Sequence, residues 1–581
     1  MRADPHSYSD LDQARTESLS LELEVDFERR ILLGRVRLRF TAPAVGTVDL
    51  DSRGLKIHRV VDEEGAGVGF GLDPTDPVLG ERLRLELPSP TATLTIDYET
   101  GPNATGLMWL KPEQTDGGTH PFLLSQCQAI HARSLMPLQD TPRARITYQA
   151  TIRVPAFATV VMSAAPGRVE PAGEGWRSFQ FEMPQPIPPY LFALAVGELD
   201  WRDLGPRCRV YAEPGVVESA AWEFDDVERM LSTAEELFGP YRWDRYDFIV
   251  LPPSFPLGGM ENPRMTFLTP TLLAGDRSLV GVLAHELAHS WTGNLVTNAT
   301  NEDFWLNEGW TVWAERRILE RLYGEEEAKQ QAILGRMGLD RTLARRIEHG
   351  ACTALTYSQQ GLDPDGEFST VPYEKGFLLI TALERAVGRE RFDRFVREYI
   401  DAFCFQSIDT DTFVDFARLH LDGLNGVDVG EWLHREGVPE SAPAFCSDRL
   451  DGLIGLAEQG SPVSGADWST TEKLVYLAHL PDEVDATAVA SWLGLDGSAN
   501  AELRSAWLAL AVRTGVDGLE GQLDAFFDRV GRTKLLAPVL AEMGGRADLA
   551  ALGQAAVARN AARWHSSTRG TLQRIATQFS A

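Results

Sequence analysis

Through residue 200 the chain alternates hydrophobic and polar positions. Leu19, Leu21, Leu23, Val25 and Phe27 are separated by polar residues, and Val36, Leu38 and Phe40 alternate with Arg35, Arg37 and Arg39. Leu83, Leu85 and Leu87, then Leu94, Ile96 and Tyr98, then Ile146, Tyr148, Ala150 and Ile152 keep the same period of two. Successive side chains of a strand point to opposite faces, so the pattern predicts half-buried strands punctuated by proline and glycine. An antiparallel β domain over 1–201 is expected, closing at the proline-rich Pro184–Pro189 and a last strand from Tyr190 to Gly197.

From Arg202 the texture changes. A strand from Tyr246 to Leu251 leads into Gly258-Gly259, and helical spacing follows. Leu279, Val280, Val282, Leu283, Leu287 and Trp291 predict an apolar helix, and Phe304 to Trp313 a second, buried one. Gly437 to Pro443 is linker-like. Beyond it, Leu503, Trp507, Leu508 and Leu510, then Leu523, Phe526, Phe527 and Val530, recur at helical spacing. Three units result, 1–201, 202–438 and 439–581, in keeping with a 581-residue chain that exceeds what one core organises.

The two helices predicted after Gly259 carry the chemistry. His285-Glu286-Leu287-Ala288-His289 sets two imidazoles four residues apart, about 40° around the helix and roughly 6 Å along it. Both then reach one tetrahedral Zn²⁺, for which two histidines and a carboxylate leave a position open to water. Glu308, on the second helix, is the expected third ligand, and Glu286 the general base for that water. Paired histidines and glutamates among apolar residues would be costly without such a partner. Glu315, two turns beyond Glu308, reads either as a carboxylate orienting a ligand histidine or as a surface partner of Arg316 or Arg317.

Composition narrows the class. The hydrophobic fraction is 44%, and no apolar run approaches a membrane span. A formal charge of −29 disfavours nucleic acid and anionic membranes as partners. Cys127, Cys208, Cys352, Cys404 and Cys446 are odd in number and scattered, which argues for a reducing cytoplasm, and Met1-Arg2-Ala3-Asp4-Pro5-His6 lacks the apolar core of a signal peptide.

Three motifs occur in order: Pro253-Ser254-Phe255-Pro256-Leu257-Gly258-Gly259-Met260-Glu261-Asn262-Pro263, the paired histidines with Glu308, and Val371-Pro372-Tyr373-Glu374-Lys375-Gly376-Phe377. Together they resemble the zinc aminopeptidase family marked by Gly-x-Met-Glu-Asn and His-Glu-x-x-His-x18-Glu, and most of all its leukotriene hydrolase/aminopeptidase branch. The resemblance implies a multidomain α+β fold: an N-terminal antiparallel β domain, a thermolysin-like zinc catalytic domain and a C-terminal all-α domain of stacked helix pairs. It implies one zinc per chain. Glu261 would hold the free α-ammonium of the substrate, with Gly258, Gly259 and Met260 as the backbone edge that an extended peptide pairs with. Without the zinc motif the two glycines would read as a hairpin with an incidental glutamate.

The same resemblance places Gln128 and Ala129 against the substrate amine or first side chain, and makes Tyr373 the phenol that stabilises the oxyanion. Arg532 in Gly531-Arg532-Thr533-Lys534 would grip a substrate carboxylate with help from Lys534; from the residues alone the pair could equally cap a helix end. His131 reads as structural, and Lys375 as the partner of a nearby carboxylate. Phe368 stands where epoxide-processing members carry a tyrosine and Leu257 where they carry an aromatic residue before Gly258, whereas Asp365 matches an aspartate tied to epoxide hydrolysis. The expected protein is a cytoplasmic, monomeric zinc aminopeptidase acting on short peptides with a free N-terminus. The alternatives are an enzyme that also opens a fatty-acid epoxide and a non-catalytic peptide-binding scaffold. A zinc endopeptidase is disfavoured by Glu261.

Overall fold

The computed structural model describes residues 3–495 and 497–580; Met1 and Arg2 of the opening stretch lie outside the described residues. The first sheet has eight strands. Ala165–Pro171, Trp176–Ile187, Ile146–Pro155, Thr16–Asp26, Ile31–Ser52, Glu81–Glu99 and Lys56–Val61 lie side by side in that order, and Gly69–Leu72 also pairs with Glu81–Glu99. The inward set Leu19, Leu21, Leu23, Val25, Val36 and Leu38 is buried while its neighbours are not, as the period of two requires.

Two local expectations change. Leu83–Leu87 and Leu94–Tyr98 belong to one strand, Glu81–Glu99, because Pro88 and Pro90 fall at a register shift opposite Ala44–Gly46 and need not donate to the ladder. Tyr190 lies in a 3₁₀ turn, Pro189–Leu191, and the last strand of the domain starts only at Leu194; the prolines at 188 and 189 have no N–H to offer. Pairing in the sheet is antiparallel apart from Thr16–Asp26 with Ile146–Pro155, which run parallel. A second sheet of four strands, Leu107–Leu110, Phe122–Ser125, Leu194–Gly197 and Thr159–Met162, turns the loop after Ser125 towards the following domain.

That domain begins with a five-stranded sheet ordered Asp200–Asp203, Cys208–Ala212, Tyr246–Val250, Thr266–Leu268 and Gly259–Met260. Gly259–Met260 is its edge, paired on one side only, Gly259 to Leu268 and Met260 to Phe267. Helix Gly281–Ala288 packs against Gly259–Met260 and Thr266–Leu268, Trp305–Tyr323 packs against that helix, and Gly376–Val387 against Trp305–Tyr323. Eight helices follow among the described residues, from Asp448–Glu458 to Ser566–Thr577. Their starts are written in the sequence: Ser469 and Glu472 form a reciprocal capping box, and Asp485 and Asn500 cap the next two helices.

One apolar core runs from Ala14 to Leu433 across the first two units, and a second from Ala457 to Ala576 fills the helical unit. A small cluster of Leu450, Leu453 and Val475 against Ile333, Leu334 and Met337 joins them. Among the described residues no helix is long and apolar enough to cross a membrane.

Candidate active site

His285 lies on the helix Gly281–Ala288, and His289 is the residue that ends it. The helix is shorter than its apolar pattern suggests. Leu279 and Val280 precede its first turn, Val280 at the N-cap, and Trp291 falls outside it because the chain turns back after His289 through Gly293. Gly293 has φ of 117°, and a Cβ there would lie 2.4 Å from Asn307 Oδ1, so only glycine permits the turn. Trp305–Tyr323 supplies Glu308. Next to it a Cβ on Gly309 would meet Gly376 Cα at 2.7 Å; this glycine pair brings the π-helical turn Val371–Lys375, and with it Tyr373, to the histidines.

The three side chains fit a zinc ion. His285 Nδ1 lies 3.0 Å from Glu315 Oε2, and His289 Nδ1 lies 3.1 Å from the Thr292 carbonyl oxygen. A carboxylate and a carbonyl accept hydrogen bonds, so both rings carry their proton on Nδ1 and turn an Nε2 lone pair inward. Those two Nε2 atoms are 3.2 Å apart, and Glu308 Oε2, buried and without a hydrogen-bond donor, lies 3.3 and 3.6 Å from them. Two lone pairs and a carboxylate oxygen facing one point repel one another unless a cation joins them.

A second group shares this corner. Oxygens of Glu261 and Glu286 lie with a His289 nitrogen within 4.8 Å of one another. A Cβ on Gly259 would be 2.4 Å from Glu286 Oε1, so the edge strand runs directly over that carboxylate. Burial pushes the Glu286 carboxyl well up, with Glu261 and Glu308 adding repulsion, and it pushes Glu261 up to about 7. Burial likewise lowers His289 to about 4; at His285 burial works in the same direction, but the carboxylates of Glu308 and Glu315 override it and raise the ring. Tyr373 is raised well above the ordinary phenol by burial and by the Glu308 and Glu261 charges, so it stays protonated and able to donate. Its ring stacks 6.1 Å from that of His285.

Other expected residues are brought to the same place. Gln128 Nε2 is 3.4 Å from Glu261 Oε1, with Ala129 beside it. Arg532 is 7% exposed; a Cβ on Gly258 would meet its guanidinium at 2.9 Å, and Glu502 holds it at 3.4 Å and Lys534 at 3.0 Å. Arg532 stands at the N-cap position of Thr533–Gly544 without capping it. Arg316 and Arg317 pair with Glu374 and with Asp393 and Glu384, leaving Glu315 to His285. Lys375 is a correction: it is fully buried and donates to the Thr353 and Arg435 carbonyls rather than to a carboxylate. His131 bonds Thr105 Oγ1 and the Asp365 carboxylate, away from the metal ligands. Phe368 is 57% exposed at the edge of the Tyr373 ring.

Several contributors were not visible in the sequence. Thr311 Oγ1 lies 3.1 Å from His289 Nδ1, Asn294 donates to the Glu261 carbonyl at 2.7 Å, and Tyr190 takes a bond from Asn307. Thr311, one turn past Glu308 on the same face, had a signal in its spacing. Asn294, Tyr190 and Glu502 had none.

Comparison with known proteins agrees along the whole chain. Residues 5–191 match the peptidase M1 N-terminal domain, 222–432 the peptidase family M1 domain, and 468–576 the leukotriene A4 hydrolase C-terminal domain. A leukotriene A-4 hydrolase of Xenopus laevis is 37% identical over 571 residues, 93% of this chain and 94% of that protein. Leucine aminopeptidase 2 of Neurospora crassa is 37% identical over 569 residues, 92% and 85% of the two chains. The bestatin complex of yeast LTA4 hydrolase superposes with a TM-score of 0.92 at 31% identity, covering 99% of this chain and 97% of that one.

Proposed function

This chain belongs to peptidase family M1, a zinc-dependent aminopeptidase by that membership, and on that premise we propose that it removes the first residue from short peptides whose amino terminus is free. One observation carries the reading. The Glu261 carboxylate lies within 4.8 Å of Glu286 and His289, and His289 within 4.8 Å of the other two metal-binding side chains. An extended residue spans about 3.3–3.6 Å. An α-ammonium held by Glu261 therefore leaves only the first peptide carbonyl at the metal-binding corner.

In this reading His285, His289 and Glu308 hold the metal, and Glu315 and Thr311 fix the two rings. Zinc bound there supplies Lewis acidity to the water and carbonyl in the cleft. Glu286 takes the proton from the attacking water and returns it to the leaving nitrogen; its raised affinity for a proton suits both halves of that exchange. Tyr373, kept as the neutral phenol, donates to the oxyanion. The backbone edge at Gly258, Gly259 and Met260 aligns the peptide as an added strand, and Gln128 and Ala129 border its first residue. Arg532, assisted by Lys534, pairs with the far carboxylate and so favours short peptides.

We take the working units as 1–201, 202–438 and 439–581, acting as a monomer on peptides in the cytoplasm. Five cysteines outside any disulfide support a reducing compartment. A panel of fluorogenic aminoacyl amides, assayed with and without chelator, tests the function. Cleavage of free-amine substrates that is lost on chelation and regained with zinc is the expected result; chelator-resistant cleavage, or none, would remove the proposal.

A further inference from the structure

Tyr373 sits on an irregular turn. Val371–Lys375 is π-helical, and Gly376–Val387 continues from it as an ordinary α-helix. The bonds of a π-helical turn close over five residues where those of an α-helix close over four, and such turns are rare and short. Each residue of an α-helix advances about 100° around the axis. Relaxing the turn by one residue would therefore swing Tyr373 away from the His285 ring, on which it stacks at 6.1 Å. Something outside the turn has to hold its register.

One ion pair grips this turn from the helix that carries Glu308. Arg316, on Trp305–Tyr323, places Nη2 2.8 Å from Glu374 Oε1, and its guanidinium carbon lies 4.0 Å from the centre of the Phe377 ring. Glu374 directly follows Tyr373, and Phe377 lies in the first turn of the next helix, so a single guanidinium holds both sides of the join. Arg316 itself directly follows Glu315, which accepts from His285 Nδ1 at 3.0 Å. The two residues that meet the His285 ring are thus tied together by their chain neighbours. A third helix, Glu325–Glu348, leaves the pair its room: a Cβ on Gly335 would lie 2.3 Å from Arg316 Nη2 and 2.4 Å from Glu374 Oε1. The two side chains are 9% and 15% exposed, and among the described residues Arg316 pairs with no other carboxylate.

An ion pair so nearly buried gains little stability over apolar side chains of the same shape; what it adds is direction. We propose that Arg316 and Glu374 are positioning residues for the reaction: their ion pair holds Val371–Lys375 in register and so aims the Tyr373 hydroxyl at the oxyanion. Neither side chain touches substrate or metal. A donor to a transition-state charge is worth its full value only at the right distance, so a small displacement of the phenol is costly. The metal ligands and Glu261 stand on other elements, Gly281–Ala288, Trp305–Tyr323 and the edge strand, and keep their places when the turn slips. This inference rests on the aminopeptidase reading and deepens it by naming what sets Tyr373.

The test uses the zinc-loaded full chain and an aminoacyl-methylcoumarin amide that the wild type cleaves. Glu374→Gln keeps the shape and removes the charge. Arg316→Met with Glu374→Leu replaces both partners by apolar residues, so that no buried charge is left alone. Each variant should keep its zinc and lower kcat about ten- to a hundredfold, with KM within about twofold, because only the transition state uses the phenol. A double-mutant cycle with Tyr373→Phe decides the cause. If the pair acts through the phenol, adding either change to Tyr373→Phe should cost less than about twofold more in kcat, since no hydroxyl is left to aim. Should Glu374→Gln fail to hold zinc, the apolar double variant carries the cycle. Losses that multiply, an unlowered kcat, an effect on KM alone, or loss of zinc from both variants would each overturn the inference and leave the pair a purely structural one. A wild type that cleaves no amide removes the aminopeptidase reading, and a Tyr373→Phe enzyme as fast as wild type removes the role of the tyrosine; this inference falls with either.

Discussion

Replacing Arg532 by alanine separates a substrate clamp from a structural arginine. Arg532 comes from the helical unit but lies against the edge strand of the catalytic unit, where a Cβ on Gly258 would meet its guanidinium at 2.9 Å. Its Nη1 is engaged by Thr271 at 3.3 Å and Glu502 at 3.4 Å, which leaves Nη2 towards the cleft. Burial works against its charge, and Glu502 and Glu286 offset that cost. A hydrogen bond from such a cation to a substrate carboxylate is worth roughly 1.5–3 kcal/mol, or about ten- to a hundredfold in kcat/KM. Arg532→Ala should therefore slow a tripeptide with a free carboxylate by that factor. It should have far less effect on a single-residue anilide, which has no such carboxylate. Steady-state kinetics on the two substrates with one enzyme preparation give the comparison. Equal losses on both would mean that the side chain only holds the helical unit to the catalytic one through Thr271, and no loss on either would place it outside the site.

Glu286→Gln should keep zinc at one per chain by metal analysis while losing about a hundredfold or more in kcat, since an amide cannot accept the proton; near-normal turnover would take Glu286 out of the reaction. Tyr373→Phe should lower kcat by about a hundredfold with KM little altered, because the lost bond forms only in the transition state; an effect on KM alone would contradict that role. N-acetylated peptides should resist cleavage, and Glu261→Ala should sharply reduce kcat/KM for free-amine peptides, whereas efficient cutting inside blocked peptides would indicate an endopeptidase. Burial lowers Lys375 from its ordinary 10.5 to about 8, so the folded chain binds fewer protons than the unfolded one between those values, and this group makes stability rise with pH across that window. Urea unfolding of Lys375→Met should show a shallower rise than wild type there, and parallel profiles would refute the assignment.

The sequence by itself determined the paired-histidine metal motif and most of the secondary structure, because both are set by local spacing, while the roles of Glu261, Gln128 and Tyr373 are what the family resemblance implies. Spacing of four fixes where His285 and His289 point on one helix, whatever surrounds it, and a period of two marks Leu19 to Phe27 as a strand with one buried face. It misjudged local ends, such as the helix that stops at His289 and the strand that runs through Pro88 and Pro90. There a turn glycine and a bulge, each governed by a distant partner, outweigh propensity. Tertiary structure alone decided which side chains meet. Nothing local in Asn294, Tyr190 or Glu502 announces contact with Glu261, Asn307 or Arg532, and nothing in Arg316 announces Glu374 as its partner. Lys375 makes the same point in reverse: sequence suggested a carboxylate partner, but the fold offers two backbone carbonyls in a site too buried for a free charge. Such pairings join residues distant along the chain, and only tertiary packing, within one unit for Asn294 with Glu261 and Glu502 with Arg532 and between units for Tyr190 with Asn307, brings them within hydrogen-bond reach.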